Sequence, residues 1–420
     1  MKLFGANLKI ILDSRGQDTL EAELKSDDFS AIASVPAGKS TGAHEAFVLE
    51  PKKALEKFEE IKNKILKKDF QSQKEFDNFL ISLDGTENKS NLGGNLILAL
   101  SLAFARLKAK SENLELFEYI SKLQNLKPKT RHLKPIFNVI NGGAHAQNKL
   151  EFQEFQVIPM VDDFGIALSI GKEFYRKLQE FLENKFDKEN VILGDEAGFS
   201  APFKNNEEAI GILADLIEKY KYPLRIGLDV AATQFYKNNQ KSVISNQGIY
   251  KIDNKEYSTE ELKDYYLKLI DAYNIISIED PFHEEDFNSF TSLTTELRGL
   301  DTDLRGRLVI TDDLTTTNPE RLKTAIEKKS GNAILIKLNQ IGTLTETLNV
   351  VEMAYESHTQ NYVGDENNWQ AIVSHRSGET MDDFIADLSV AINAWGIKAG
   401  APEKLERLAK YNRILEIQNI

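Results

Sequence analysis

Residues 333–343 read AILIKLNQIGT, an apolar run followed directly by a lysine. A continuous apolar stretch of this kind is typical of a β-strand that is buried on both faces. Lys337 stands where such a strand would emerge from the core, and a lysine is rarely buried unless it is paired or used in chemistry. Taken alone, the run favours a lysine that extends to solvent from a strand end. The rest of the chain argues against this simple interpretation.

Around this run, short apolar strands alternate with amphipathic helices through most of the chain. The pattern predicts strands at residues 136–140, 155–158, 191–193, 225–228, 275–278, 308–310, 333–336, 371–373 and 396–397. It predicts helices between them, including residues 164–185, 259–273, 319–329, 344–356 and 382–394. Because these strands are too many for a small open sheet, the alternation predicts a closed α/β barrel.

The residues that follow the predicted strands are unusually polar. In chain order they are Gly194-Asp195-Glu196, Asp229, Glu279-Asp280, Asp312-Asp313, Lys337, Ser374-His375-Arg376-Ser377 and Lys398. A single polar strand end would only make a loop soluble. Acids and bases at seven strand ends indicate an active site, because α/β barrels collect their catalytic groups at the carboxyl ends of their strands.

The first part of the chain has a different pattern. Residues 8–12 and 19–24 predict a β-hairpin, and residues 51–68, 70–80 and 96–107 predict helices. The Lys- and Pro-containing stretch at 122–134 is typical of a linker. We therefore expect an N-terminal α+β domain at residues 1–130 and a C-terminal α/β barrel catalytic domain at residues 131–420.

Composition narrows the classes of function. The chain has 420 residues, a net charge of −13 and no cysteine, which excludes disulfides and thiolate metal sites. The negative charge argues against nucleic acid as the main partner. The N-terminus lacks a sustained apolar segment, and no run is long enough to span a bilayer. We therefore expect a cytoplasmic protein.

One stretch has part of a nucleotide-binding motif. Residues 38–41 read GKST, as in a phosphate-binding P-loop. That motif also requires a glycine five positions before Gly38, where this chain has Ala33. A loop of small residues is the better interpretation.

Six stretches resemble the signatures of the enolase family, in that family's order and along essentially the whole chain. They are LDSRG at 12–16, DGTENK at 84–89, NVINGG at 138–143, SIEDP at 277–281, KLNQIGT at 337–343 and SHRSGE at 374–379. The resemblance implies an enolase-type barrel and the Mg²⁺-dependent dehydration of 2-phosphoglycerate to phosphoenolpyruvate. It also implies a small anionic substrate and a homo-oligomer, either a dimer or a larger assembly.

The resemblance implies a role for each of thirteen site residues. Lys337 would be the general base and Glu196 the general acid. Asp229, Glu279 and Asp312 would hold one Mg²⁺, and Ser40 would reach a second. The substrate would also contact His145, Gln153, Glu154, Glu279, Asp312, His375, Arg376, Ser377 and Lys398.

This assignment is chemically reasonable. Removing a proton next to a carboxylate adds negative charge, which hard divalent cations stabilise well. Lys337 must be neutral to accept a proton, and we expect metal cations and Lys398 to lower its pKa. Ionising both of two close carboxyl groups, Glu196 and Glu154, is electrostatically unfavourable, so one of them can keep a proton near neutral pH. Arg376 and Ser377 suit a phosphate group.

The chain departs from the family pattern at several positions. Lys39 adds a cation to the small-residue loop, where we expect it to strengthen closure over phosphate. Ala197 and Gln234 replace a glycine and a glutamate. At the family's acid–arginine dimer contact, our alignment pairs Glu21 with Glu416, which leaves that contact in doubt. Residues 357–368 are an insertion, which we expect to lie on the surface with no contact to the substrate.

Two alternative functions remain open on the sequence alone. One is another acid-sugar dehydratase of the same superfamily, although such enzymes lack this combination of Glu196, Lys337 and the loop at Ser40. The other is a non-catalytic role at the cell surface, such as the plasminogen binding reported for some enolases. The chain ends in Ile420, so the simplest form of that binding, through a terminal lysine, is absent.

Overall fold

The computed structural model describes residues 1–39, 42, 44–146, 148–238, 248–299, 306–357 and 369–420, apart from the side chain of His145. The N-terminal part begins with a three-stranded antiparallel sheet of β1 (Gly5–Leu12), β2 (Asp18–Lys25) and β3 (Ser30–Ser34). Four helices follow it: α1 (Pro51–Leu66), α2 (Gln73–Asp84), α3 (Gly94–Ser111) and α4 (Leu116–Leu123). The predicted hairpin and the three predicted helices are therefore confirmed, with small differences at their ends.

Helix α3 forms the centre of this N-terminal unit. Nearly all of its side chains are buried, because it lies between the sheet and the other helices. Phe104 of α3 stacks on Phe76 of α2 with their ring centroids 4.1 Å apart, and Phe70 meets both rings edge-on. A helix that is apolar on all sides needs such a covering. The N-terminal unit thus has a core of its own.

The rest of the chain forms a closed barrel with helices around it. Its strands and adjoining short strands are β4 (Lys134–Asn141), β5 (Glu154–Pro159), β6 (Ile192–Leu193), β7 (Phe199–Ser200), β8 (Leu224–Asp229), β9 (Tyr236–Lys237), β10 (Ile249–Ile252), β11 (Lys255–Tyr257), β12 (Ile275–Glu279), β13 (Leu308–Thr311), β14 (Ala333–Ile336), β15 (Gln370–Ser374) and β16 (Gly396–Lys398). The helices are α5 (Phe164–Phe186), α6 (Asn206–Tyr220), α7 (Thr259–Tyr273), α8 (Phe287–Gly299), α9 (Pro319–Lys328), α10 (Leu338–Ile341), α11 (Leu344–Glu356), α12 (Phe384–Ala391) and α13 (Leu405–Gln418).

Eight of these strands make the barrel wall. Their order is β4-β5-β8-β12-β13-β14-β15-β16, and pairing of β16 with β4 closes the ring. The apolar run that opens the sequence analysis is β14, whose four side chains are all buried. The predicted closed α/β barrel is confirmed.

One strand of the barrel runs against the others. Strand β5 is antiparallel to both of its neighbours, β4 and β8. Its first residue, Glu154, therefore pairs with Asn141 and Asp229 at the carboxyl ends of those strands. This reversal brings the beginning of β5 to the edge of the barrel where the other strands end.

The prediction of a barrel strand at residues 191–193 is wrong. Ile192 and Leu193 form one arm of a small antiparallel hairpin with β7, and their side chains are 48% and 44% exposed. The hairpin joins the barrel through the pairing of Phe199 with Ile140. Three apolar residues in a row resemble a short buried strand, but here they lie on a surface hairpin whose turn carries Glu196.

The N-terminal unit contacts the mouth of the barrel. Ala37 and Gly378 form an isolated antiparallel bridge through two backbone hydrogen bonds of 2.9 and 3.0 Å. Farther from the mouth, Arg106 forms an ion pair of 2.6 Å with Asp382. Since α4 ends at Leu123 and β4 begins at Lys134, we propose that the two units divide near residue 130.

The insertion falls largely on residues 358–368, which lie outside the described residues. The chain on either side shows that it joins the end of α11 to the start of β15. Because β15 ends beside the cavity at Ser374, its start lies at the opposite end of the barrel.

We predict that replacing residues 358–368 with a short glycine–serine linker leaves kcat within about threefold of the parent, since loop length costs only about 0.6 kcal/mol per doubling. A folded variant with a hundredfold lower kcat at saturating Mg²⁺ would contradict this placement.

Candidate active site

A cavity lies at the barrel edge where seven strands end and β5 begins. Ten of the predicted site residues line it: Gln153, Glu154, Glu196, Asp229, Asp312, Lys337, His375, Arg376, Ser377 and Lys398. Glu279 lies directly behind, in contact with Lys398. Ser40 and the side chain of His145 lie outside the described residues. The structure therefore brings together eleven of the thirteen predicted residues.

Lys398, at the end of β16, is the centre of the largest charge cluster. Its Nζ lies 3.1 Å from Glu154, 3.0 Å from Asp229 and 2.9 Å from Glu279. Burial disfavours the charged amine, but the three carboxylates outweigh this effect and raise the pKa of Lys398 well above its usual value. Lys398 is therefore a firmly charged ammonium in this arrangement.

Lys337 follows β14 and contacts the carboxylate of Asp312 directly. Burial lowers the pKa of Lys337, and the charges of Arg376 and Lys398 lower it further. The surrounding carboxylates, Asp312 foremost and then Glu279, raise it, and the net effect is a raised pKa. Conversely, Lys337 overcomes the effect of burial on Asp312 and lowers the pKa of that carboxyl. Lys398 lowers the pKa of Lys337 as expected, but the sequence did not show that Asp312 pairs with this lysine and raises its pKa. The lowering expected from metal cations stays a prediction.

Glu196 and Glu154 approach the cavity from two unusual positions, the hairpin turn and the start of the reversed strand. Asn138 donates a hydrogen bond of 2.8 Å to Oε2 of Glu196, and Gln156 donates one of 2.9 Å to Glu154. Burial and the negative charge of Glu196 raise the pKa of Glu154 well above its usual value. The expectation that one of the two acids stays protonated agrees with this shift.

The chain around Glu196 is tightly fitted. Ala197 has a φ of +66°, the left-handed region that favours glycine. A Cβ on Gly198 would lie 2.4 Å from Oδ1 of Asn141, so this glycine leaves room for the Asn141 side chain. The turn thus tolerates alanine at the first of these positions but has no room for it at the second.

Arg376 and Ser377 have partners that sequence reasoning missed. Arg376 donates hydrogen bonds of 2.9 Å to Glu45 and to Asn339, and Arg15 donates one of 3.1 Å to Oγ of Ser377. Arg15 and Asn339 lie in the stretches LDSRG and KLNQIGT, which the sequence analysis singled out. No contact was predicted for either residue. For Glu45 the sequence offered no signal.

A second layer holds the acidic strand ends in place. Asp280 accepts backbone hydrogen bonds from Asp312 at 3.1 Å and Asp313 at 2.7 Å, and Gln340 donates one of 3.0 Å to Oδ1 of Asp312. Burial and the charge of Asp312 raise the pKa of Asp313 to about 7. Of these residues, sequence reasoning noted Asp280 and Asp313 only as polar strand ends.

The acidic groups fit a divalent metal. Carboxylate oxygens of Glu279, Asp280 and Asp312 lie within 4.8 Å of one another, and Asp229 and Glu279 share the ammonium of Lys398. Such an all-oxygen donor set suits hard cations such as Mg²⁺. The lysine contacts also show that these carboxylates need positive charge nearby.

Two of the unusual residues lie at the rim of the cavity. Lys39 pairs with Asp195 at 3.1 Å, so its charge faces the residue beside Glu196. Gln234 donates a hydrogen bond of 2.5 Å to Gln153 and accepts one of 3.3 Å from the backbone of Ala144. The substitution to glutamine therefore keeps a polar contact with a predicted substrate-binding residue.

The fold and the site together define a class of enzyme. An α+β unit covers an α/β barrel whose strand ends carry buried acids, two lysines and a pair of close carboxyl groups. Groups of this kind serve acid–base chemistry on anionic substrates with the help of a metal.

Comparison with known proteins gives the family. Residues 6–120 match the model for the enolase N-terminal domain, and residues 132–420 match that for the enolase C-terminal TIM barrel domain. The enolase of Methanocaldococcus jannaschii is 41% identical, covering 97% of this chain and 93% of that protein. The enolases of Methanopyrus kandleri and Corynebacterium kroppenstedtii are each 40% identical, covering 99% and 97% of this chain and 95% and 93% of those proteins.

The chain belongs to the enolase family. It is a phosphopyruvate hydratase, a carbon–oxygen lyase of glycolysis, and the family implies a divalent metal. Similarity along nearly the whole chain does not favour a different sugar-acid dehydratase or a purely non-catalytic surface role.

We predict that Lys39→Ala changes kcat/KM by less than about fivefold. Both side chains of the pair with Asp195 are partly exposed, and an exposed ion pair contributes about 1 kcal/mol or less. Steady-state kinetics of Lys39→Ala, Asp195→Asn and the double variant measure this, and the double variant should lose no more than either single one. A thousandfold loss on Lys39→Ala alone would place Lys39 in the catalytic machinery.

Proposed function

We propose that this cavity catalyses the reversible dehydration of 2-phospho-D-glycerate to phosphoenolpyruvate, in glycolysis and gluconeogenesis, with Mg²⁺ as the metal. The observation that carries the proposal is the arrangement of two lysines, an acidic cluster and the Glu196–Glu154 pair around one cavity in a member of the enolase family. The reaction needs a base, an acid and compensation for added negative charge, and these groups can supply them.

Lys337 is the proposed base. Its neutral amine takes the proton from the carbon next to the substrate carboxylate, and the electron pair moves into that carboxylate to give a dianionic intermediate. Asp312 holds the amine in the cavity and favours its charged form, whereas the positive charges of Arg376 and Lys398 favour the neutral form. A metal held by Asp312 would offset the charge of that carboxylate and so favour the neutral amine. Positioning and charge thus act on the same nitrogen.

Glu196 is the proposed acid. It gives its proton to the departing hydroxide, which leaves as water when the double bond forms. Glu154 lies beside it in the same cavity, and the electrostatic repulsion between the two carboxylates favours a shared proton over two charges. A proton held by the pair is therefore available for transfer to the departing hydroxide.

Asp229, Glu279 and Asp312 are the residues that would hold Mg²⁺, with Ser40 proposed for a second ion. When bound, the metal supplies positive charge against the negative charge that develops on the substrate. Arg376, Ser377, His375, Gln153, His145 and Lys398 are the proposed substrate contacts. For Arg376 this requires phosphate to compete with Glu45, whose two oxygens lie 2.9 and 3.3 Å from the guanidinium.

We also propose a homo-oligomer. Leu12, Met381 and Leu405 are large apolar side chains that are 65%, 61% and 72% exposed. Exposed apolar side chains of this kind suit contact with a second copy of the chain. The Glu21–Glu416 pairing does not support it, because Glu21 binds Lys9 and Glu416 lies beside Arg413 within the same chain.

We propose that the protein is located in the cytoplasm, where glycolytic substrates are found. An additional pool at the cell surface is compatible with this location. No helix in the described ranges is long and apolar enough to cross a membrane.

The direct test is ultraviolet detection of phosphoenolpyruvate formed from 2-phosphoglycerate, with Mg²⁺ and after chelation. We expect turnover with Mg²⁺, its loss on chelation and its recovery when Mg²⁺ is restored. Asp229→Asn should need more Mg²⁺ for half-maximal rate, while Asp215→Asn, on the outer helix α6, serves as the matched control. Absence of turnover in folded, Mg²⁺-loaded protein would reject the proposal.

We predict that Lys337→Ala abolishes proton abstraction while substrate binding is largely retained, because a general base acts mainly in the transition state. Exchange of the substrate C2 proton with deuterated water, followed by NMR, separates this step from loss of water. If Lys337→Ala exchanged this proton at close to the parental rate, another group would be the base.

A further inference from the structure

Arg407 is a fully buried arginine that the reaction described above does not use. It lies in the first turn of α13 with 0% of its surface exposed. Its guanidinium donates hydrogen bonds to the backbone carbonyls of Arg376 at 2.9 Å, Ser377 at 2.8 Å and Asp195 at 3.3 Å. It therefore joins the loop that carries the proposed phosphate contacts to the turn that carries Glu196.

The same guanidinium also contacts Nδ1 of His375. An arginine has only N–H donors and no acceptor, and it keeps its proton in proteins. Nδ1 of His375 must therefore be the acceptor and carry no hydrogen. This contact excludes both the Nδ1–H tautomer and the doubly protonated imidazolium, and leaves the neutral ring with its hydrogen on Nε2.

The second ring nitrogen of His375 points toward the proposed acid. Its Nε2 lies 3.5 Å from Oε2 of Glu196, and it has no hydrogen-bond partner within the part of the chain that the structure describes. The same oxygen of Glu196 accepts the hydrogen bond from Asn138. Oε2 thus accepts from Asn138 and is also the Glu196 oxygen that lies beside Nε2 of His375, so the proton of a neutral Glu196 belongs on the other oxygen, Oε1.

We infer that Arg407 is a positioning residue for acid catalysis: it fixes His375 as the Nε2–H tautomer and thereby directs the transferable proton of Glu196 to Oε1. The inference rests on the proposed role of Glu196 as general acid. It adds the reason why one carboxyl oxygen, and not the other, carries the proton to the leaving group.

The surroundings of His375 support a neutral ring. Glu196 faces it from the hairpin turn, Arg407 from α13, Lys398 from β16 and Lys337 from the end of β14. Burial lowers the pKa of His375 well below its usual value, and the three cations lower it further against the opposing charge of Glu196. A neutral imidazole agrees with the tautomer that the hydrogen-bond geometry requires.

The test combines NMR with kinetics on the full-length protein. The chain has six histidines, so ¹⁵N-labelled histidine gives few signals, and His375→Gln identifies the signal of His375 by its loss. Long-range ¹H–¹⁵N correlation distinguishes Nδ1–H, Nε2–H and imidazolium directly. In the parent protein we expect Nε2–H, with no change across the pH range in which the fold is intact.

Arg407→Gln removes the charge and the fork of N–H donors. We expect His375 to leave the pure Nε2–H state, and kcat to fall about ten- to a hundredfold, because general acid catalysis contributes roughly 10²- to 10⁴-fold. Arg407→Lys keeps one charged donor, and it should retain more of the tautomer and of kcat together. Arg413→Gln, two turns along the same helix and paired with Asp387, is the matched control and should change neither quantity.

Several results would overturn the inference. An Nδ1–H or imidazolium signal for His375 in the parent would do so, and this measurement does not depend on whether any variant folds. A changed tautomer in Arg407→Gln with kcat within twofold of the parent would also do so. By contrast, parental activity in Glu196→Gln would remove Glu196 as the acid, and a parental Nε2–H signal would then show that the failure lies in the proposed function and not in the geometry of His375.

Discussion

The mouth of the barrel brings Lys337 and Lys398 together with the carboxylates of Asp229, Glu279 and Asp312, and the mutual compensation of these charges governs the rest of the site. Leaving one member of a buried ion pair without its partner typically costs about 3–5 kcal/mol. An acidic side chain at one strand end therefore has to lie close to a basic side chain at another strand end. The register of the barrel provides this, since β16 ends with Lys398 among the carboxylates of β5, β8 and β12.

The same need for compensation extends into the N-terminal unit. Glu45 neutralises Arg376, and Arg15 is held by Asp13 while it contacts Ser377. The backbone bridge between Ala37 and Gly378 holds these groups at the cavity. The barrel supplies the acids and bases of the proposed chemistry, and the N-terminal unit supplies counter-charges for the proposed phosphate contacts. Both units are therefore parts of one electrostatic arrangement.

The sequence predicted the strands and helices well because their signals are local. The run before Lys337 became a buried strand, and the periods of 2 and 3.6 residues placed most other elements. Strand direction is not a local property, so nothing in residues 155–158 showed that β5 is reversed. Likewise, three apolar residues before Glu196 could not be distinguished from a barrel strand. The effect of Asp312 on the pKa of Lys337 could not be predicted, because it depends on a contact across the fold.

The position of Arg407 near the end of the chain affects how the protein folds during synthesis. Every residue proposed for catalysis, metal binding or substrate binding precedes it, the last of them being Lys398. Domains generally fold as units during synthesis, so the closing strand β16 and helix α13, both near the end of the chain, complete the barrel in its last stage. The last helix then supplies the guanidinium that bonds to the loops of Asp195 and Ser377. The N-terminal unit, which has a core of its own, can therefore fold first, while the active site waits for the last residues of the chain.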